Sequence, residues 1–594
     1  MQTTWNLSHL YKKDTDPQIE KDRARIEKKA AEFVKKWKDT DSYLSSPAAL
    51  KKALDDYQDW AFYYAGGGAE GYYFDLLSSL HEDNPSVKAK TNKAEEFSKK
   101  IAAQMQFFPL RIARISPKLQ KKFLTDPTLK PYKHFLETSF AEAKYLLSEP
   151  EEKIMLMKSA PAYGNWTRMV SGFLSKEERE VNVGKGKKQK LTLSLLLSLM
   201  ESNDKAVRDS AAEAFNDILS KHVEAAENEM NSILQNKQID DQLRGISRPD
   251  LSRHLSDDVE TEVVDTMLEA VEKRFDLAQR FYKLKAKLLG LKKLAYHERN
   301  IPIGNVDKTY SYENSSALVS RVFKNLDPKF AEIFQTFENN GLLDVYPAKG
   351  KRGGAFCAHY LKSLPTYILL NHTNKLRDVL TLAHELGHGI NNELMREKQN
   401  ALNFGTPTST AEVASTFMED FVLQELLQEA DDKLRLSLLM FKLNDDISTI
   451  FRQVAAYRFE QELHGEFRKK GYLSKEEIGK LFQKNMAAYM GPAVEQSPGS
   501  ENWWVYWNHF RYFFYVYSYA SGLLISKSLQ NKVKADHAFI DEVKEFLSAG
   551  SSESPKNIFK KMGIDISDKK FWNQGLDEIE KLLKETENLA NKIQ

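Results

Sequence analysis

The sequence predicts a mainly α-helical protein with a small sheet. Apolar residues recur at three- and four-residue spacing over most of the chain. Strand-like runs are few, and three of them crowd between Leu342 and Asn371. Directly after them comes Thr381-Leu382-Ala383-His384-Glu385-Leu386-Gly387-His388-Gly389, a His-Glu-x-x-His sequence inside another helical pattern.

Composition bounds the function. The chain has 594 residues, enough for a large core and, on length alone, about three or four domains. A formal net charge of +2 implies no strong field for nucleic acid or a membrane surface. The single cysteine, Cys357, excludes an intramolecular disulfide and fits a reducing compartment. Met1 to Trp5 lacks a basic n-region and an apolar h-region, and no uncharged apolar run reaches transmembrane length. A cytoplasmic enzyme is the expectation.

The elements follow in order. Asp16-Pro17 reads as a helix start, with Ile19, Ile26, Ala30, Phe33, Val34 and Trp37 as its apolar stripe. Ser46-Pro47 starts a second helix carrying Leu50, Leu54, Tyr57 and Trp60. Gly66, Gly68 and Gly71 spell Gly-x-Gly-x-x-Gly, but no strand leads in, so a break between helices is expected rather than a dinucleotide site. Helical patterns continue through Ile101, Met105 and Phe108, and from Phe135 to Leu147. Glu180–Val183 and Gln189–Leu193 read as two strands of a hairpin closed by a Gly/Lys turn. From Asn203 the helical pattern resumes through Val207, Ala211, Phe215 and Ile218, and a further stripe runs from Val259 to Leu289. The strand-like runs are 342–346, 354–358 and 365–371. A strand beside the His-Glu-x-x-His helix could pair with an extended peptide, giving affinity without sequence selectivity.

On a helix His384 and His388 lie one turn apart on one face, where two imidazoles can share a zinc ion. Glu385 sits about 100° around the helix, beside the metal, where a general base for water belongs. Thr373 or Asn374 can cap this helix. A catalytic zinc usually takes a third protein ligand. Position 394 is Leu, which excludes a third histidine there, and Glu393 is too close along the same helix. Glu412 and Glu419 are seven residues apart on one face of a second helical pattern. One can bind metal while the other orients a ligand histidine, and their spacing leaves the choice open.

Trp503 to Tyr519 is dense in aromatic residues. Read as a helix, it puts His509, Tyr512, Tyr515 and Tyr519 within about 120° of arc and turns Tyr517 away. A face with one imidazole and three phenols suits donors for a developing oxyanion better than a dry core.

At these residues the chain resembles the thimet oligopeptidase-like zinc peptidases, and within them the oligoendopeptidase F group. The resemblance rests on Asp378–His388, the Glu412 segment, and His509-Phe510-Arg511-Tyr512-Phe513-Phe514-Tyr515-Val516-Tyr517-Ser518-Tyr519-Ala520-Ser521-Gly522. Lys349–Phe356, Phe546–Gly550 and Gly563–Asp565 add to it, and Trp5-Asn6-Leu7 extends it loosely to the N-terminal part. The resemblance implies a mainly α fold, a helical ellipsoid with a deep substrate channel and a small sheet next to the His-Glu-x-x-His helix. It implies an N-terminal helical domain over 1–195, forming part of the channel wall, and a zinc metallopeptidase domain over 196–594. It implies one Zn²⁺ per chain on His384, His388 and Glu412, with Glu385 as the base. It places His509 near the substrate carbonyl with Tyr512 and Tyr519, the choice among Tyr512, Tyr515 and Tyr519 remaining open. The activity implied is endopeptidase cleavage of short unstructured oligopeptides by a water activated at the metal, with no nucleic-acid or membrane partner. Two rivals are a zinc carboxypeptidase, which would stop at blocked ends, and a non-catalytic peptide binder, against which the intact Glu385 argues.

Overall fold

The computed structural model describes residues 2–304 and 309–593. Among these residues helices dominate, and seven short strands make three small sheets. No helix among them is long and apolar enough to cross a membrane.

The chain divides into two compact units, each built from separate stretches. One comprises Met1–Glu149, Asp307–Leu426 and Leu529–Ile564; the other comprises Pro150–Val306, Leu427–Ser528 and Asp565–Gln594. The boundary expected at residue 195 falls inside the second unit.

In the first unit, Ser46 caps the helix Pro47–Tyr63 by accepting from the Ala49 amide, with Pro47 at its first position. The preceding helix starts at Gln18, one residue later than expected, and the Asp16 side chain accepts from the Gln18 amide at 2.9 Å. Their expected stripes form the core: Ile26, Ala30, Phe33, Trp37, Leu50, Leu54 and Trp60 cluster with Ile101, Met105 and Phe108. The glycine motif is a break between helices, and Gly66, Gly67 and Gly68 all have positive φ. Three strands form one sheet: Tyr367–Leu369 lies between Leu343–Asp344, to which it is parallel, and Phe356–Ala358, to which it is antiparallel. Trp5 is fastened to this sheet, its indole N–H donating to the Ile368 carbonyl at 2.8 Å and its amide to Asp344 at 3.1 Å. That is the structural content of the Trp-Asn-Leu resemblance.

In the second unit, Asp204 caps a 40-residue helix, Lys205–Arg244, which ends on left-handed Gly245. Its inward stripe, Val207, Ala211, Phe215, Ile218 and Leu219, is buried. The expected hairpin is present as Glu178–Asn182 paired with Lys188–Thr192. One expectation fails here. Trp503 to Tyr519 is not one helix: 3₁₀ turns cover Ser500–Asn502 and Asn508–Arg511, and an α-helix begins only at Tyr517. Between them Phe513 and Phe514 both adopt left-handed backbone, at φ 47° and 57°. Bulky side chains rarely do so, because Cβ crowds the carbonyl.

Candidate metal centre

The His-Glu-x-x-His helix runs from Leu376 to Lys398. The capping position is Lys375 rather than Thr373 or Asn374. Asp378 reaches back to accept from the Thr373 and Lys375 amides at 2.7 and 2.9 Å. Val379, Leu382, Ala383, Leu386 and Ile390 are fully buried and fix the rotation of the helix.

That rotation brings His384 and His388 together, their ring centroids 5.1 Å apart. Glu412 stands just before the helix Val413–Gln428. Its Oε2 lies 3.4 Å from His384 Nε2 and 3.5 Å from His388 Nε2. Two ligands about 2.05 Å from a tetrahedral zinc are themselves about 3.3 Å apart, so this donor set fits the ion. Glu419 takes the other side of the ring, accepting from His384 Nδ1 at 3.1 Å and leaving Nε2 directed at Glu412. Ser415 Oγ donates to Glu412 Oε2 at 3.0 Å. Burial disfavours charge on His384, but hydrogen bonds to Glu412 and Glu419 outweigh it and hold the imidazole well above its ordinary range. For Glu412, burial opposes the charge, yet the two histidines hold the carboxyl well below the usual range. Glu385 is buried, and that burial raises its carboxyl. Glu393 is occupied elsewhere, accepting from Thr366 Oγ1 at 2.8 Å and Arg396 Nε at 3.0 Å.

Gly387 is a positioning residue that spacing alone does not reveal. A Cβ there would stand 2.6 Å from Ser415 Cα and 2.7 Å from the Ala414 carbonyl oxygen. Both are backbone atoms of the Val413–Gln428 helix, so only glycine lets the two helices approach closely enough for Glu412 to meet both histidines.

Among the described residues a second acidic-histidine group, Asp209, His297 and Glu298, has ligand atoms close together. Its carboxylates are already met by cations: Lys205 lies 2.7 Å from Asp209, and Arg208 lies 2.8 Å from Glu298. It reads as an ion-pair cluster.

In the second unit, the structure brings His509, Tyr515 and Tyr519 together. His509 Nε2 lies 3.0 Å from Tyr519 Oη, and the Tyr515 ring is 5.9 Å from His509 and 5.6 Å from Tyr519. The Trp507 indole donates to His509 Nδ1 at 3.1 Å. An indole N–H can only donate, so Nδ1 accepts and the imidazole proton sits on Nε2. Burial, with help from the Arg452 charge, lowers the His509 pKa and keeps the ring neutral. Tyr512 is 56% exposed. Tyr517 is buried, and its hydroxyl donates to Asp257 at 2.9 Å.

The left-handed pair sets this arrangement. Phe514 N–H donates to Glu460 at 2.8 Å, and Arg253 donates to the carbonyls of Tyr512 and Phe513 at 2.9 and 3.3 Å. Arg511 is anchored by a buried ion pair to Glu229 at 2.8 Å. Sequence spacing missed Glu460 and Arg253, which are remote in the chain and carry no motif.

Residues 198–578 match the model of peptidase family M3, and residues 111–171 match a family model described as oligopeptidase F. An oligoendopeptidase F homolog of Lactococcus lactis subsp. lactis is 27% identical over 99% of this chain and 97% of its own length. The oligopeptidase PepF of Bacillus subtilis is 25% identical over 86% of this chain and 78% of its own length. Two crystal structures share the fold. One, from Chlamydophila abortus, has a TM-score of 0.83 at 22% identity and covers 99% of this chain and 98% of its own. The oligoendopeptidase-F of Enterococcus faecium has a TM-score of 0.73 at 19% identity and covers 97% and 99%. Both halves of the argument, the His-Glu-x-x-His helix with its partner glutamates and the match over most of the chain, lead to one assignment: this chain belongs to peptidase family M3.

Proposed function

We propose that this chain is a zinc-dependent endopeptidase that cuts internal bonds of short, unstructured oligopeptides. The observation that carries the proposal is the convergence of His384 Nε2, His388 Nε2 and Glu412 Oε2 at ligand spacing, with Glu419 behind His384 and the buried Glu385 on the same helix turn. His384, His388 and Glu412 would hold the ion. When bound, zinc polarises a carbonyl and makes water acidic enough to attack near neutral pH.

The remaining chemistry belongs to the chain. Glu385 takes a proton from the attacking water at its carboxylate and returns it to the leaving amine nitrogen. Burial makes that carboxylate a stronger base than an exposed one. The developing oxyanion is assigned to His509 and a tyrosine. Support for this comes from inside the second unit: His509 is neutral with its proton on Nε2, and Tyr519 Oη lies 3.0 Å from that nitrogen. Both are preorganised donors of the kind that stabilises such charge. Tyr519 is favoured over Tyr512, because Tyr519 Oη reaches His509 Nε2 whereas the Tyr512 side chain is exposed.

The test is digestion of end-blocked peptides, with and without a chelator, alongside a stably folded protein, with cuts mapped by mass spectrometry. Internal cuts in short peptides of varied sequence, lost with chelator and absent from the folded protein, are expected. Release of single residues from free C-termini only would favour the carboxypeptidase reading, and efficient cleavage of the folded protein would show an open site.

A further inference from the structure

Among the described residues no carboxylate pairs with Arg452. It opens the helix Arg452–Lys470, directly after a π-helical turn over Ile447–Phe451 that continues from the helix Asp432–Asp446. Such a turn shifts the helical register for the residues that follow, and π-turns inside helices are frequent at functional sites. The guanidinium carbon lies 4.1 Å over the Trp507 ring. Its Nε is buried with no acceptor. The groups that surround it are phenols: Tyr506, Tyr489, Tyr296 and Tyr282. Arg299 adds to the same region, its guanidinium carbon 4.4 Å from the Tyr296 ring and 4.5 Å from the Trp503 ring, with its own Nε buried and unpartnered.

The buried Arg208 and Arg511 of this unit each have a carboxylate partner. Arg208 meets Glu298, and Arg511 meets Glu229, both at 2.8 Å. The Arg452 side chain is partly exposed, but its Nε is shut off from water without an acceptor, and leaving a buried donor unpaired costs about 1–3 kcal/mol. Stacking on Trp507 occupies the face of the Arg452 guanidinium and leaves its edge, a fork of N–H donors shaped for a carboxylate. The position is also informative. Trp507, which lies under Arg452, donates to His509, and the Trp507 and His509 rings are 6.5 Å apart. Through Trp507 this distance and the 4.1 Å from Arg452 to the indole cap the span from His509 to Arg452, and a peptide extended at about 3.3 Å per residue crosses it in at most about three residues.

We propose that Arg452 is a substrate-recognition residue that takes a carboxylate of the bound peptide within about three residues of the carbonyl facing His509. The carboxylate is either the free C-terminus or an Asp or Glu side chain. The inference rests on the peptidase reading for the role of His509. It gives a protease indifferent to side chains at the bond itself a fixed reference point along its substrate.

The test measures binding, so that it does not depend on turnover. An N-acetylated octapeptide is prepared as C-terminal acid and as amide, each with Glu or Gln at every position in turn. Affinities are measured by calorimetry on Glu385→Gln protein with Arg452 intact and with Arg452→Met or Arg452→Lys. With Arg452 intact, removing the recognised carboxylate should weaken binding by about 10- to 100-fold, the range of a charge-assisted hydrogen bond. A loss on amidation assigns the C-terminus, and a loss on Glu-to-Gln exchange assigns a side chain. Met at 452 should abolish the discrimination, and Lys should restore part of it. Equal affinities for all four peptide classes with Arg452 intact, a comparison that needs no change at 452, would overturn the proposal. So would discrimination that survives in the Met variant. Wild-type cleavage of the same peptides is scored separately. Cleavage without discrimination leaves the peptidase reading standing and removes this one; discrimination without cleavage does the reverse.

Discussion

Two carboxylates seven residues apart meet one imidazole on opposite nitrogens. Glu412 faces Nε2 of His384 at 3.4 Å, and Glu419 accepts from Nδ1 at 3.1 Å. Glu412→Ala should therefore remove a ligand and lose zinc outright in metal analysis. Glu419→Ala should leave the ligand set complete but free the His384 ring, weakening zinc by about 10- to 100-fold. The reverse order would exchange their roles. A second pair of residues separates catalysis from packing. Tyr519→Phe keeps the ring and removes the hydroxyl beside His509 Nε2; kcat and kcat/KM should fall together by about 10²–10³-fold with zinc retained. Tyr517→Phe removes a buried bond to Asp257 and should lower stability by about 1–3 kcal/mol while kcat stays. Thermal melts and steady-state kinetics on both proteins check this, and a kinetic defect confined to Tyr517→Phe would contradict the assignment. At this scale the sequence was readable where chemistry is local. His384, Glu385 and His388 are one helical turn, so spacing alone puts them together. Glu412 stands just before the helix that carries Glu419, their spacing alone leaves the two alike, and only the approach of the His-Glu-x-x-His helix, permitted by Gly387, distinguishes them.

Elements were legible where their stripes and caps agree, as at Ser46-Pro47 and in the Glu178–Thr192 hairpin. The 503–519 segment was not. Its aromatic spacing suits a helix, yet no glycine marks the left-handed turn at Phe513-Phe514. That turn is held from outside, by Glu460, 54 residues away, and by Arg253, about 260 away. No local pattern encodes such a hold. Glu460 also carries a measurable signature. It is fully buried, and burial pushes its carboxyl up to about 8, the Phe514 amide opposing. An unfolded glutamate ionises near 4.3. Between these values the folded state binds the extra proton, so stability present at pH 4 is lost as pH rises towards 8, by about 1.4 kcal/mol per unit. Glu460→Gln should flatten that part of the pH dependence of Tm between pH 5 and 8. An unchanged slope would show that Glu460 is not the group responsible.

At the scale of the molecule, each unit gathers stretches from distant parts of the chain. The sheet was readable as three runs, but the middle place of Tyr367–Leu369 is set by pairing rather than by chain order, and the fastening of Trp5 to it depends on contacts more than three hundred residues apart. Family membership follows from the length of the match; the chemistry rests on a handful of side chains. The measurement that tests that chemistry most directly is zinc content and internal cleavage of an end-blocked octapeptide, made on wild-type and Glu385→Gln protein side by side. Both proteins should hold about one zinc per chain, since Glu385 is not among the three donors, and only the wild type should cut, losing activity with chelator and regaining it with zinc. A Glu385→Gln protein that cuts at the wild-type rate, or a wild type that cuts undiminished after its metal is removed, would contradict the proposed mechanism.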